Sequence, residues 1–339
     1  MKTLRLVRAT LLALVLLTPL SVAAPTVEAG TEGDGGTVRL LYNEPGTNSF
    51  IPFTIKKFAL DKKHGFALAP MPTATTQTAI TALQTGAADA GTFGWNDMGR
   101  MINGGISVIG VAPFLRWGAD FIVVPTDSPI KTLADLKGKK VGAGTKSALN
   151  WIVMRAVGEK VYGLDIEKEA TSYEGSPVLL RGLIENGQLD ATHIFNSIEP
   201  SMVATGKFRP LTKISDLVHM FGLPDTPFLL YAFDTKYVAA KPGNVRAFVA
   251  AYEEAVNILR TNDEVWLERG RQLGFTDEVS ALFRKEARTD IWLRFEPDTE
   301  ANIRHVFDVM LPIAGVEALG TATMPTPFMT VEFQQALIQ

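Results

Sequence analysis

From Val38 onward, short runs of apolar and β-branched residues alternate with stretches whose apolar positions return every three or four residues. The first pattern is that of buried strands, the second that of helices with one apolar face. Val38–Tyr42, Phe66–Met71, Ile106–Val111, Lys168–Tyr173 and Pro227–Phe233 read as strands. Val245, Phe248, Val249, Tyr252, Val256 and Leu259 mark a helix that starts near Pro242 and opens a helical tail, expected to pack on a first lobe. Strands alternating with helices imply βαβ units and a mostly parallel sheet.

One unit occurs twice. In Ala79–Asp97 an apolar-periodic helix stops at Gly86, then Asp89-Ala90 opens a strand that runs into Gly94-Trp95-Asn96-Asp97. In Val178–Glu199 the helix stops at Gly187, Asp190-Ala191 opens the strand, and Asn196-Ser197-Ile198-Glu199 follows. Glycine suits the residue after a helix because it enters the left-handed region without a Cβ clash. Two lobes built alike would face each other with these polar loops at their strand ends, where open α/β sheets bind ligands. The expected fold is therefore α/β, with two Rossmann-like lobes and a cleft between them. Residues 37–124 plus 232–339 would form lobe 1, and residues 125–231 lobe 2.

The N-terminus changes the picture of where such a fold works. Lys2, Arg5 and Arg8, the apolar Leu11–Leu17, Pro19 and the small Ser21-Val22-Ala23 read as an export signal over residues 1–23. The apolar run is shorter than the roughly 20 residues that span a bilayer. Residues 24–36 are Gly-rich and acidic and read as a flexible tether. The chain has no cysteine, which suits a periplasmic protein held by its core and excludes a thiolate metal site. Without the three signal cations, 30 basic residues stand against 36 acidic ones, and that balance disfavours nucleic-acid binding.

Candidate chemistry collects at the strand ends. Gly142–Ser147 follows a strand and opens a helix, so Thr145, Lys146 and Ser147 either cap that helix or meet an anionic group. Trp95, Asn96 and Asp97 are set to face Asn196 and Glu199 across the cleft, with capping and first-turn roles as the other reading of the acids. Glu44 and Asn48 lie in the turn-rich loop after the first strand, and Tyr173 and Glu174 close another. Ser176 and Pro177 fit the N-cap and first position of the next helix. Arg116 and the aromatic Trp117 complete the set. Acids outnumber bases among these residues, which favours a solute with a cationic, amino or heterocyclic part over a simple anion. Clustered carboxylates also leave a hard metal ion open as a ligand. The four histidines lie far apart, with no HExxH pair and no Gly-x-Ser-x-Gly elbow, so neither an enzyme nor a cofactor is called for.

The stretch Ile130-Lys131-Thr132-Leu133-Ala134-Asp135-Leu136-Lys137-Gly138-Lys139-Lys140-Val141 resembles the opening of the second lobe in type II periplasmic substrate-binding proteins. With the doubled Gly-x-x-Asp-Ala units and the Lys241-Pro242 helix start, it resembles the NitT/TauT, SsuA-like branch, whose ligands include nitrate, sulfonates, taurine and thiamine pyrimidine precursors. The resemblance covers about Val38 to Leu311. It implies a monomeric receptor that binds a small polar organic solute and delivers it to an ABC permease with its ATPase. A ligand-binding module reporting to a membrane kinase is the alternative output of the same fold.

Overall fold

The computed structural model describes residues 33–44, 46–146 and 148–334. The expected export signal, most of the expected tether and Ser147 lie outside the described residues.

The first sheet takes strands β1 (Thr37–Asn43), β2 (Ala67–Thr73), β3 (Ala90–Gly94) and β4 (Val108–Arg116). The second takes β5 (Phe121–Pro125), β6 (Lys140–Gly144), β7 (Thr171–Glu174), β8 (Ala191–Ile194) and β9 (Phe208–Lys213). β10 (Pro227–Asp234) then returns to the first sheet. The strand orders are β2-β1-β3-β10-β4 and β7-β6-β8-β5-β9, one topology used twice with β10 and β5 in corresponding places. Each sheet is mixed rather than mostly parallel. β1 runs parallel to β2 and β3, and β6 to β7 and β8, but β10 and β5 are antiparallel to both of their neighbours. The reason is topological: each of these two strands enters its sheet from the other one instead of through a right-handed crossover helix. The chain changes sheet between Arg116 and Phe121 and returns ahead of Pro227, a few residues before the boundaries at 124/125 and 231/232 read from sequence.

The repeated unit keeps its local chemistry. Gly86 and Gly187 follow their helices with φ of 71° and 69°. Asp89 Oδ2 accepts the backbone N–H of Arg39 at 2.8 Å, and Asp190 Oδ2 accepts that of Lys140 at the same distance. Each aspartate thus ties the unit to the first strand of its own βαβ half, satisfying a backbone donor at a strand start. Asp89 is buried and also pairs with the Arg39 guanidinium.

The helix Pro242–Thr261 buries Val245, Phe248, Tyr252, Val256 and Leu259 against Val38, Leu40, Phe114 and Tyr231 of the first sheet, as its periodicity predicts. A second apolar cluster is continuous across both sheets and contains Phe93, Trp95 and Trp117 together with Ile122, Val141 and Trp151. The two halves therefore share a core behind their facing strand ends. Residues 33–36, expected to belong to a tether, are docked instead. Gly33 and Gly35 donate to the carbonyls of His64 and Gly65 at 2.9 and 2.7 Å, and Asp34 meets Lys241 at 2.8 Å. Among the described residues no helix is long and apolar enough to cross a membrane.

Candidate functional site

The strand ends enclose a cavity of about 680 Å³ lined from both sheets. That size is within the range of roughly 300–1,000 Å³ of small-molecule sites. Its first wall is built by the turn after β1, where Thr47–Ser49 forms one 3-10 turn, and by the end of β3. The opposite wall is the loop after β8 and the start of the helix Pro177–Glu185, capped by Ser176 with Pro177 in its first turn, as expected. Thr47 Oγ1 donates to Asn196 Oδ1 at 3.4 Å across the gap, and both residues are buried. Asn196 Nδ2 is buried without a hydrogen-bond partner among the described residues, so the cavity retains a donor in its wall.

The crossover supplies the organising acid. Gly118 adopts φ 80°, and a Cβ there would lie 2.4 Å from Ser215 N, so the chain passes tightly before Asp120. Asp120 Oδ1 accepts the N–H of Asn196 at 3.1 Å, and Oδ2 accepts Asn150 Nδ2 at 2.8 Å. His193 Nε2 lies 3.2 Å from the same Oδ2. One carboxylate thus fixes the loop after β8, the first turn of the helix Leu149–Tyr162 and the imidazole of β8. Trp117 joins from behind, donating its indole N–H to Asn150 Oδ1 at 3.2 Å.

The other charges in the lining come with partners. Glu44 pairs with Arg269, Arg116 with Asp225, and Arg181 with Glu185. Asp97 is held by Arg100 at 2.8 Å, yet burial outweighs that cation and raises its carboxyl above the usual range. Acids still outnumber bases here, with Glu44, Asp97 and Asp120 against Arg116 and Arg181, but pairing leaves the wall less charged than the sequence suggests. Among the described residues no group of three or more His, Asp or Glu is placed to hold a metal ion.

Of the residues singled out from sequence, Glu44, Asn48, Asp97, Arg116 and Asn196 line this cavity. Asn48 reaches Thr92 Oγ1 at 2.9 Å. Thr145 and Glu174 line an adjoining cavity in the second sheet. Lys146 and Tyr173 are exposed and line neither. Trp95 and Trp117 are core residues, packed edge to face with centroids 6.3 Å apart. Trp95, Asn96 and Asp97 are the first turn of the helix Trp95–Asn103 rather than a loop, and that turn carries Asn96 away toward the Ala318 carbonyl. Glu199 likewise opens a helix and is buried outside the cleft. There burial and the Glu286 carboxylate push its pKa up to about 7, against the pull of Lys213.

Thr47, Asp120, Asn150, Arg181 and His193 are the lining residues that sequence reasoning missed. For His193 a signal existed. Aligning the two units on Asp89 and Asp190 sets Thr92 against His193, polar positions of β3 and β8 whose next residues, Phe93 and Ile194, are buried. Asp120 carried no such signal, because its partners are 30 to 76 residues away.

The family described as NMT1/THI5 like matches residues 62–264, more than half of the chain and spanning both sheets. The chain belongs to the NMT1/THI5-like family. A curated relative, a putative thiamine biosynthesis protein of Haemophilus influenzae, is 28% identical over 167 residues, 48% of this chain and 49% of that protein. The chain thus spans about half the length of the curated relative it matches. Among solved structures, this NMT1/THI5-like chain is similar to the periplasmic aliphatic sulphonate binding protein SsuA from Escherichia coli. They share 20% identity and a TM-score of 0.67, over 81% of this chain and 87% of that one. The alkanesulfonate-binding protein SsuA from Xanthomonas axonopodis pv. citri, bound to MOPS, gives 18% identity and the same TM-score, over 87% and 98%. At such identities the likeness establishes the fold, which is that of the two-lobed periplasmic binding proteins.

Proposed function

We propose that the chain is a periplasmic solute receptor that binds a small polar organic molecule between its two sheets and hands it to an ABC permease. The observation that carries this reading is the cavity lined from both sheets, with Thr47 and Asn196 in contact across it. A site that takes polar groups from two lobes couples occupancy to their relative position, which is what a permease can recognise. Its size exceeds what nitrate or taurine needs, and the Phe93, Phe195 and Phe228 side chains in its wall suit a larger apolar or planar body. The paired charges in the wall support binding rather than turnover, because salt-bridged side chains orient a ligand without supplying a nucleophile.

The test is thermal unfolding of ligand-stripped protein against a panel of alkanesulfonates, arylsulfonates, taurine, nitrate, amines and divalent cations. A ligand at about 100 times its Kd adds roughly 2.7 kcal/mol and raises the midpoint measurably. A solute that raises the midpoint, loses that effect in Asn196→Ala, compacts the protein in X-ray scattering and enters cells only when the chain is present supports the reading. Turnover of the bound solute, or occupancy without uptake, would overturn it.

A further inference from the structure

The adjoining cavity, about 480 Å³, is built wholly from the second sheet and its helices and joins the principal cleft at Pro177 and Phe195, which line both. Most of its wall is apolar: Ala148, Pro177, Leu180 and the ring of Phe195. Against this background, besides the Thr145 hydroxyl, two titratable side chains keep an atom free. Glu174 lines the cavity with no ion pair and no side-chain hydrogen bond among the described residues. His193 is more than nine-tenths buried, stacks edge to face on Phe195 with centroids 5.8 Å apart, and has its Nε2 committed to Asp120.

That commitment decides what His193 offers. Nε2 has two neighbours, Asp120 Oδ2 at 3.2 Å and Asn150 Nδ2 at 3.4 Å; the amide already donates to Asp120 Oδ2 at 2.8 Å, so the nearer carboxylate oxygen places the ring proton on Nε2. In the neutral ring Nδ1 is then the acceptor. Nδ1 has no partner among the described residues, and a Cβ added at Gly144, in the cavity wall, would lie 3.7 Å from it. The cavity therefore presents a free carboxylate and an imidazole acceptor beside an aromatic face.

We propose that this second cavity is a subsite of the solute-binding cleft that takes a planar cationic group rich in N–H donors, such as an amidinium or an aryl ammonium. The geometry behind this is the buried His193 turned by Asp120 so that Nδ1 meets the ligand, with Glu174 supplying the counter-charge and Phe195 the stacking surface. The subsite deepens the receptor reading and rests on it. The ligand it implies is elongated, its body in the principal cleft and its donor end beyond Pro177.

The test compares benzamidine with benzenesulfonate, two planar probes of similar size and opposite charge, by calorimetric titration of the ligand-stripped full chain at pH 8. Benzamidine is expected to bind, at least about tenfold more weakly in Glu174→Gln, and benzenesulfonate is expected not to compete. Glu174 is exposed, so this variant leaves folding intact, whereas His193→Gln removes a buried bond to Asp120 and serves only to assign the histidine spectrum. The 15N resonance of His193 Nδ1 is expected to move on adding benzamidine. No binding at about 10 mM, binding unchanged in Glu174→Gln, or preference for benzenesulfonate would overturn the subsite. If benzamidine fails while a panel solute still raises the midpoint, the subsite falls and the receptor reading stands. If no panel solute binds or compacts the protein, the receptor reading falls whatever benzamidine does.

Discussion

Thr47 and Asn196 stand at the ends of different sheets, and the hydroxyl of one donates to the amide oxygen of the other at 3.4 Å. The two residues are 149 positions apart in sequence, and their contact fixes which strand ends face the same volume. Both are buried, so the bond is shielded from competing water.

Asn196→Ala removes both the cross-cleft bond and the Nδ2 donor in the cavity wall. It is expected to weaken solute binding by roughly ten- to a hundredfold, as loss of a buried polar contact costs about 1–3 kcal/mol. Thr47→Val keeps the shape and loses only the hydroxyl, so a loss under about tenfold is expected. Calorimetric titration with the solute that stabilises the wild-type chain checks both.

Asp120→Asn keeps the volume but replaces an acceptor of three hydrogen bonds with a group that also donates. The new amide hydrogens point at Asn150 Nδ2, His193 Nε2 or Asn196 N, which already donate. A loss of about 2–4 kcal/mol in a urea titration is expected, along with a changed tautomer signal for His193.

Trp95→Ala and Trp117→Ala are expected to lower stability by about 3–5 kcal/mol each, because both rings fill the core shared by the two sheets. Trp117→Ala also strips Asn150 Oδ1 of its indole donor. Denaturant midpoints should fall for both, and a variant that lost solute affinity with no loss of stability would return these tryptophans to the binding surface.

Glu199 carries a pH dependence of defined sign. Its folded pKa of about 7 lies above its ordinary carboxylate value of 4.5, so the folded chain holds this proton more tightly than the unfolded chain. Its contribution to stability is whole below about pH 4.5 and is lost as pH rises through 7. Glu199→Gln should remove that fall and raise the melting midpoint at pH 8 by roughly a few degrees while leaving it nearly unchanged near pH 4.5. Scanning calorimetry of the two proteins from pH 4.5 to 8 reads the difference.

Local pattern carried a large part of the fold. The periodicity of Val245–Leu259, the stops at Gly86 and Gly187 and the cap at Ser176 all follow from interactions within a few residues, and the structure places each as expected. Even the doubled Asp89 and Asp190 were visible as a repeat, although their bonds to Arg39 and Lys140 span 50 residues. The mixed sheets were not visible, because a strand's direction is set by where its neighbours come from and not by its own sequence.

For the site, sequence indicated the strand ends but not which side chains point into them. A one-turn difference decides that for the Trp95–Asp97 segment. Begun as a helix at Trp95, it buries the tryptophan, turns Asn96 toward Ala318 and leaves Asp97 on the cavity. Lys213 and Glu286, far apart in sequence, surround Glu199 because β9 and the helix Asp277–Asp290 both pack against the helix that Glu199 opens. The sequence by itself determined the repeated α/β unit and the polar strand ends that line the cavity, since hydrophobic period, glycine stops and caps act locally. Only the tertiary structure decided that Thr47, Asp120 and Asn196 share one volume and that His193 joins them through Asp120, because these contacts are made between strands and turns that nothing but the folded core brings together.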